Sequence, residues 1–277
     1  MLYQAKNGTI PFGETTMEYI RFGTGKKTLI MLPGLGDGLR SMKGTALPMA
    51  LMYRCLTKEY TVYAFSRLNH LPEGYTTRDM AKDQVKAMDA LGIEKADYLG
   101  VSMGGMIAQH LAADYPDRVG KLILVVTAAQ PNPVLTASVE EWICQAKAGD
   151  HRALMDSNVR KIYSQDYYRK NKWLVPIMGK LTKPKSYGRF FVQARACLTH
   201  DSVDRLQGIF SPTLVMGGGQ DQTLGVEASK EIAGAIPNAQ LRIYEQWGHG
   251  LYEEEKNFLP DILAFLEQNG AKGGDGR

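Results

Sequence analysis

The sequence predicts an α/β protein with a mostly parallel sheet of about eight strands and helices on both faces. Short continuous apolar runs at residues 28–32, 61–65 and 121–127 are typical of strands buried on both faces. Helical stretches separate these runs, and such alternation gives parallel strands joined by right-handed crossovers. The alternation stops after Ala129 and resumes at Pro212, which indicates a helical insertion after the sixth strand.

The remaining elements follow from local patterns. Residues 15–22 alternate partly and end at Gly-Thr-Gly, which predicts a strand in a hairpin with the segment near Tyr3. Residues 78–91 predict a helix that Thr77 caps and Gly92 ends. The other expected elements are a helix within 42–57, strands at 97–101, 212–217 and 240–244, and a last amphipathic helix at 257–267.

These patterns divide the chain into a core and an insertion. We expect residues 1–129 and 207–268 to form one α/β core, with residues 130–206 as a helical insertion. The insertion begins at Gln130-Pro131-Asn132-Pro133 and is too small and too basic for a second independent domain. The Gly-rich, charged segment 269–277 predicts a disordered tail.

Composition excludes several classes of protein. The chain has 277 residues, 44% hydrophobic and 22% charged, with a net charge of +4 and no run of like charges that would bind nucleic acid. No apolar segment has the length of a membrane span, and the N-terminus lacks the apolar core of a signal peptide. Cys55, Cys144 and Cys197 fit neither a disulfide framework nor a metal site. We expect a cytoplasmic protein without cofactor or metal, and the oligomeric state stays open.

The positive charge is concentrated in the insertion. Residues 130–205 contain 13 Lys and Arg against 7 Asp and Glu. One interpretation is an ordinary solvated helical surface. Two others are a wall that faces an anionic substrate and a surface that binds a partner protein.

Gly100-Val101-Ser102-Met103-Gly104 is the motif that carries chemistry. It follows a strand-like stretch and precedes a helical stretch of small residues. A serine at such a sharp turn is forced into an uncommon backbone conformation, and a Cβ at either glycine would collide with a neighbouring element. The turn also places Ser102 at a helix N-terminus, which favours negative charge. We therefore predict a nucleophile; the alternative is a Gly-rich turn without chemistry.

A serine nucleophile needs a base and an acid. His249 follows the last predicted strand and is flanked by glycines that let the loop curl over the sheet edge. Asp221 follows the preceding strand, so the chain order is Ser102, Asp221, His249, the order of serine-elbow hydrolases. Glu245 is the reserve acid, and a turn-forming or helix-capping role is the alternative for Asp221.

Acyl chemistry also needs donors for an oxyanion. The backbone N–H of Met103, directly after the serine, is one candidate. The N–H of Leu35, in the glycine-rich loop after the strand at 28–32, is the other. No Gly-Lys-Ser/Thr follows this loop, which excludes a phosphate-binding loop.

These residues together resemble the α/β-hydrolase superfamily, from about Thr15 to Leu266. The sequence from Gly100 to Met106 looks most like 3-oxoadipate enol-lactonase-like members and related small esterases. The resemblance implies that the insertion is the family's cap. Ser102 argues against dehalogenase and epoxide hydrolase relatives, which use a carboxylate nucleophile.

Two departures from the family's pattern stand out. Many relatives open the oxyanion loop with His-Gly, where this chain has Pro33-Gly34. Many relatives also carry a proline shortly after the acid, and none follows Asp221 here. The second departure predicts that the loop carrying Asp221 is less rigid than in those relatives.

We therefore expect a serine hydrolase that acts on a small carboxylic ester or lactone, with anionic substrates included among the candidates. A carbon–carbon bond hydrolase or an acyltransferase would use the same residues. A ligand sensor with little turnover is an alternative from another class. Nucleic acid and membranes are not expected partners.

Overall fold

The structure is a computed structural model that describes residues 2–268, apart from the side chain of Met178, and it contains one eight-stranded sheet. The strands are β1 (Lys6–Phe12), β2 (Thr15–Phe22), β3 (Lys27–Leu32), β4 (Tyr60–Leu68), β5 (Ala96–Val101), β6 (Val119–Val125), β7 (Thr213–Gly218) and β8 (Gln240–Tyr244). Their order is β1-β2-β4-β3-β5-β6-β7-β8. The β1–β2 and β2–β4 pairs are antiparallel, and the other pairs are parallel.

Helices cover both faces of the sheet, as the alternating pattern predicts. Within the described chain they are α1 (Ala46–Met52), α2 (Thr77–Ala90), α3 (Met103–Asp114), α4 (Pro133–Lys147), α5 (His151–Ile162), α6 (Gln165–Asn171), α7 (Val175–Thr182), α8 (Gly188–Leu198), α9 (Val226–Ala235), α10 (Leu251–Glu254) and α11 (Phe258–Glu267). One apolar core includes residues of α2, α3 and α9, and a second includes residues of α1 and α11. The fold is therefore an α/β sandwich with a buried parallel sheet.

The start of α2 differs slightly from the sequence expectation. The helix begins at Thr77, and Thr76 caps it in place of Thr77. Thr76 Oγ1 accepts a hydrogen bond from Asp79 N while the Asp79 carboxylate accepts one from Thr76 N, a reciprocal capping box. Thr77 is instead buried, with its hydroxyl 2.9 Å from His200 Nδ1. Thr76 and Thr77 are both residues that can cap a helix, so the sequence did not distinguish them. In the structure Thr76 bonds to Asp79 and becomes the cap, whereas Thr77 contacts His200.

The helices between β6 and β7, α4 to α8, are called the inserted helices below. They lie at the carboxyl ends of the parallel strands, where Asn132, before α4, donates to Leu224 O and caps the helix through Leu135 N. Helix α8 packs against the one-turn helix Leu35–Gly38 that follows β3. The inserted helices thus cover the edge of the sheet at which Ser102 lies.

Three further expectations concern membrane spans, cysteine and metal sites, and the C-terminal segment. No helix within residues 2–268 is long and apolar enough to cross a membrane. In the same residues the three cysteines are free, and no group of three or more His, Cys, Asp or Glu side chains could hold a metal. The expected disordered tail, 269–277, lies outside the described residues.

A buried carboxylate in α2 makes stability depend on pH. Asp83 is 3% exposed and accepts a hydrogen bond from Tyr75 OH at 3.0 Å. Burial raises the pKa of Asp83 from 3.8 to about 6. The folded state therefore binds this proton more tightly than the unfolded state, and the contribution to stability decreases as pH rises from 3.8 through about 6.

Asp83→Asn keeps the side-chain size and removes the ionisation. Relative to the natural protein, its free energy of unfolding should increase as pH rises through that window. Denaturant unfolding at about pH 4 and about pH 7 measures this difference. Asp204→Asn, at an exposed position, is the control. An Asp83→Asn effect of equal size at both pH values would contradict the prediction.

Candidate active site

Ser102 lies at the turn between β5 and α3 in a strained backbone conformation. Its φ is 53° and its ψ is −121°, a region that side-chain-bearing residues rarely adopt. Hydrogen bonds from both sides hold it there: Ser102 N donates to Val125 O at 2.9 Å, and Thr127 Oγ1 donates to Ser102 O at 2.8 Å. The end of β6 therefore fixes the position of the candidate nucleophile.

The glycines of the motif are required by close backbone contacts. A Cβ at Gly100 would lie 2.7 Å from Gly104 O, and a Cβ at Gly104 would lie 1.9 Å from Leu32 O. A Cβ at Gly105 would lie 2.6 Å from Thr127 Cβ. Helix α3 can therefore approach β3 and β6 closely enough to present Ser102 at the sheet edge.

His249 and Asp221 form a buried pair beyond the last two strands. His249 Nδ1 lies 2.8 Å from Asp221 Oδ2, and the two residues are 3% and 8% exposed. The other carboxylate oxygen of Asp221 accepts hydrogen bonds from Thr223 N and Leu224 N at 2.7 and 3.0 Å. This turn holds the acid loop without the proline that many relatives carry. Glu245, the reserve acid, is exposed.

Ser102 and His249 line the same cavity, although their side chains are not hydrogen-bonded within the described residues. Catalytic hydrogen bonds are often long in a free enzyme and tighten only when substrate binds. The structure thus brings Ser102 and His249 to one cavity, with Asp221 bound to the imidazole of His249.

The loop after β3 runs directly beside the serine. A Cβ at Gly34 would lie 3.4 Å from Ser102 Cβ and 3.8 Å from Ser102 Oγ. Leu35 is the first residue of a one-turn helix, and Met103 is the first residue of α3. The first N–H groups of a helix have no acceptor within it, so both backbone donors are free of intrahelical bonds.

A buried ion cluster at Asp37 holds this loop, and the sequence analysis missed it. Asp37 Oδ2 accepts a hydrogen bond from Arg67 N at 3.0 Å and lies 3.9 Å from Arg67 Nη1. Arg189, from α8, donates to the same carboxylate oxygen and to Asp37 O. Arg67 Nη2 also donates to Pro33 O at 2.5 Å. The only sequence signal was a charged residue, Arg67, within an otherwise buried strand.

Burial affects the charge of this cluster. Arg67 is 1% exposed, and desolvation lowers the pKa of its guanidinium while Asp37 opposes that change. A buried charge without a partner is strongly unfavourable, so the two arginines and the carboxylate depend on each other. The cluster therefore couples the loop at Leu35 to β4 and to the inserted helices.

The cavity in front of Ser102 has a volume of about 530 Å³. Its walls come from the loop after β3 and from the inserted helices, with Trp142, Met155, Val159, Ile162, Leu174, Val175 and Phe190 as apolar lining residues. In the part of the chain that the structure describes, no lysine or arginine of the inserted helices lines it. The expectation of a basic wall toward an anionic substrate thus finds no support here; the lining cation is Arg40, after the Leu35 turn.

Hydrogen bonds join the inserted helices to the segment that carries His249. Gly250 N donates to Ile162 O at 2.6 Å, Tyr163 OH donates to Glu253 at 2.8 Å, and Ser164 N donates to Glu254 at 3.0 Å. Burial and the neighbouring Glu254 raise the pKa of the Glu253 carboxyl. Three hydrogen bonds therefore connect residues 162–164, next to the cavity, to residues 250–254, which follow His249.

Comparisons with known proteins identify the family. A family model described as alpha/beta hydrolase fold matches residues 27–256, so the chain belongs to the α/β-hydrolase family. The chain is 32% identical to the poly(3-hydroxyalkanoate) depolymerase of Ectopseudomonas oleovorans over 199 residues, 70% of this chain and 69% of that protein. It is 27% identical over 252 residues to the Caulobacter vibrioides protein named "Putative carbamate hydrolase RutD", which covers 88% of this chain and 91% of that one.

Solved structures agree on the fold. The enol-lactonase from Burkholderia xenovorans LB400 superposes with a TM-score of 0.79 at 22% identity, over 94% of this chain and 100% of that one. At this identity the likeness concerns the fold alone. The superfamily resemblance expected from the sequence is confirmed, and the protein is a hydrolase of this family.

Two glycines near Ser102 offer a matched test of the packing. Gly104→Ala should lower the free energy of unfolding by about 3 kcal/mol or more, because its Cβ would meet the backbone of Leu32. Gly36→Ala, in the adjacent loop with no heavy atom within 4 Å of its Cβ, should change it by less than about 0.5 kcal/mol. Denaturant unfolding measures both. Equal effects would show that α3 and β3 are not in close contact.

Proposed function

We propose that this hydrolase cleaves small carboxylic esters or lactones through Ser102, His249 and Asp221 and an acyl-enzyme intermediate. The observation that carries the proposal is one shared cavity: Ser102 and His249 line the same apolar space, and Asp221 contacts the imidazole of His249. An apolar cavity with a few convergent polar groups is typical of a small-molecule site.

The His249–Asp221 contact sets the direction of proton transfer. With Nδ1–H donating to the carboxylate, the lone pair of His249 lies on Nε2, toward the cavity. His249 takes the hydroxyl proton of Ser102 as Oγ attacks the substrate carbonyl carbon. Asp221 stays ionised and stabilises the imidazolium that forms.

The oxyanion of the tetrahedral intermediate accepts hydrogen bonds from the N–H groups of Leu35 and Met103. Both groups lie at helix starts beside Ser102, and a backbone donor is unaffected by the replacement of His-Gly with Pro33-Gly34. The Arg67 bond to Pro33 O fixes the peptide plane that precedes this loop. Preorganised donors of this kind need no rearrangement during the reaction.

The intermediate collapses when His249 gives its proton to the departing alkoxide, and the alcohol leaves. His249 then takes a proton from water as the water oxygen attacks the acyl carbon. When the bond between that carbon and Ser102 Oγ breaks, His249 returns the proton to Oγ, and the acid is released with Ser102 restored. For a lactone the alcohol and the acid remain in one molecule, and the product is a hydroxy acid. The names of the relatives, a polyester depolymerase and a carbamate hydrolase, support a substrate with such a carbonyl group.

The inserted helices serve as a cap in this proposal, within the segment 130–206 inserted between core segments 1–129 and 207–268. They supply the apolar wall that receives the acyl or alcohol group, and they limit water access to the acyl-enzyme. A carbon–carbon bond hydrolase or acyltransferase would use the same residues, and a panel of substrates separates these reactions.

Mass spectrometry after treatment with a fluorophosphonate tests the proposal. We expect a single adduct on Ser102, lost in Ser102→Ala and His249→Ala and kept in His70→Ala, an exposed histidine. Asp221→Asn should slow turnover by about 10⁴-fold, because the imidazole loses the partner that fixes its tautomer. No adduct on the folded natural protein would refute the nucleophile and favour a ligand sensor.

The cavity wall should set the preferred acyl length. Met155→Ala enlarges the cavity, so kcat/KM for longer p-nitrophenyl esters should increase relative to shorter ones by about tenfold or more. Met155→Leu, of similar volume, should leave the ratio nearly unchanged. An unchanged ratio in Met155→Ala would mean that substrates bind away from this wall.

A further inference from the structure

Three large apolar side chains protrude from one face of the inserted helices. Trp173, Ile177 and Leu181 are 65%, 49% and 72% exposed. They lie four residues apart in the turn Lys172–Leu174 and in α7, a spacing that places them on one side of a helix. We call this face the outer stripe. Single exposed apolar residues are ordinary, but three in one row are not.

Another side of the same segment lines the candidate active-site cavity. Leu174, Val175 and Thr182 line the cavity, and Val175 is only 5% exposed. A single helical layer therefore has one side on the candidate active site and another side, the outer stripe, in solvent. Whatever the outer stripe contacts therefore lies against a segment that forms part of the cavity wall.

Five exposed lysines lie close in sequence to the outer stripe, and we call them the flanking lysines. Lys170, Lys172, Lys180, Lys183 and Lys185 are all exposed. None of these five makes an ion pair within residues 2–268, and residues 167–200 contain eight Lys and Arg without a single Asp or Glu. Much of the positive charge of the insertion thus lies in the segment that carries the outer stripe.

We propose that the outer stripe docks on an anionic lipid surface. Trp173, Ile177 and Leu181 enter the boundary between headgroups and acyl chains, and the lysines contact the lipid phosphates. A helix with aromatic and aliphatic residues on one face and lysines beside them is typical of interfacial binding. Docking of this kind involves the membrane surface and needs no helix that crosses the bilayer.

Charge favours lipid over a second copy of this chain. A symmetric dimer would place the same face of each copy against the other, and the flanking lysines of the two copies would repel each other. The exposed aliphatic side chains protrude, which suits insertion into a soft surface. The sequence expectation of no membrane contact rested on the absence of a span, and surface docking needs none.

Vesicle sedimentation with the full chain tests the proposal without requiring turnover. The natural protein should bind phosphatidylcholine vesicles that contain phosphatidylglycerol at least about tenfold more tightly than pure phosphatidylcholine vesicles. Added salt should weaken this binding. Equal binding to both vesicles, or none to either, would overturn the proposal.

Variants separate the contribution of the outer stripe from that of the flanking lysines. Ile177→Ser with Leu181→Ser, and Lys180→Gln with Lys183→Gln and Lys185→Gln, should each reduce binding by about tenfold or more. Phe210→Ser, which removes an apolar residue that is 78% exposed elsewhere, is the matched control and should bind as the natural protein does. Circular dichroism establishes that each variant is folded. Unchanged binding in both sets of variants would refute the assigned face.

Tryptophan fluorescence gives a local readout. Trp142 is buried, and Trp173 is the most exposed of the three tryptophans, so anionic vesicles should shift the emission to shorter wavelength through Trp173. The shift should be absent in Trp173→Phe, which keeps an apolar side chain. Sedimentation equilibrium showing a dimer that Leu181→Ser dissociates, with no vesicle binding, would assign the outer stripe to self-association and overturn the proposal.

Discussion

The buried carboxylate of Asp37 connects strand β4, helix α8 and the loop that follows β3. It accepts hydrogen bonds from Arg67 on β4 and from Arg189 on α8, and it lies two residues after Leu35. Removing one partner of a buried ion pair typically costs about 3–5 kcal/mol, because the remaining charge is left in a medium that cannot solvate it. The position of α8 and the geometry of the loop beside Ser102 are therefore energetically coupled.

The parallel sheet brings the remaining candidate residues together. Ser102 follows β5, Leu35 follows β3, Asp221 follows β7 and His249 follows β8, and the carboxyl ends of these strands share one edge. Local hydrogen bonds then fix individual residues. Ser102 N donates to Val125 O at the end of β6, and Thr223 N donates to the Asp221 carboxylate. The sheet supplies proximity, and the local turns supply orientation.

Much of the site could be predicted because its signals are local. The turn around Ser102 needs glycines, because a Cβ at Gly100 or Gly104 would collide with backbone atoms. The order of Ser102, Asp221 and His249 along the chain is visible in the sequence. The Asp37–Arg189 contact was not predictable, because it joins residues 152 positions apart and no local pattern marks the pair. For the same reason the orientation of the insertion's lysines, away from the cavity, needed the structure.

The hydrogen bond between Ile162 O and Gly250 N makes the cavity wall and the candidate base mechanically linked. In the proposed reaction, an acyl group that displaced α5 would also displace the loop that carries His249. Small errors in the alignment of a base can cost orders of magnitude in rate. If His249 is the base, a substrate that fits the wall poorly would react with a lower kcat as well as a higher KM, and the shape of the wall would select substrates through the rate of the chemical step.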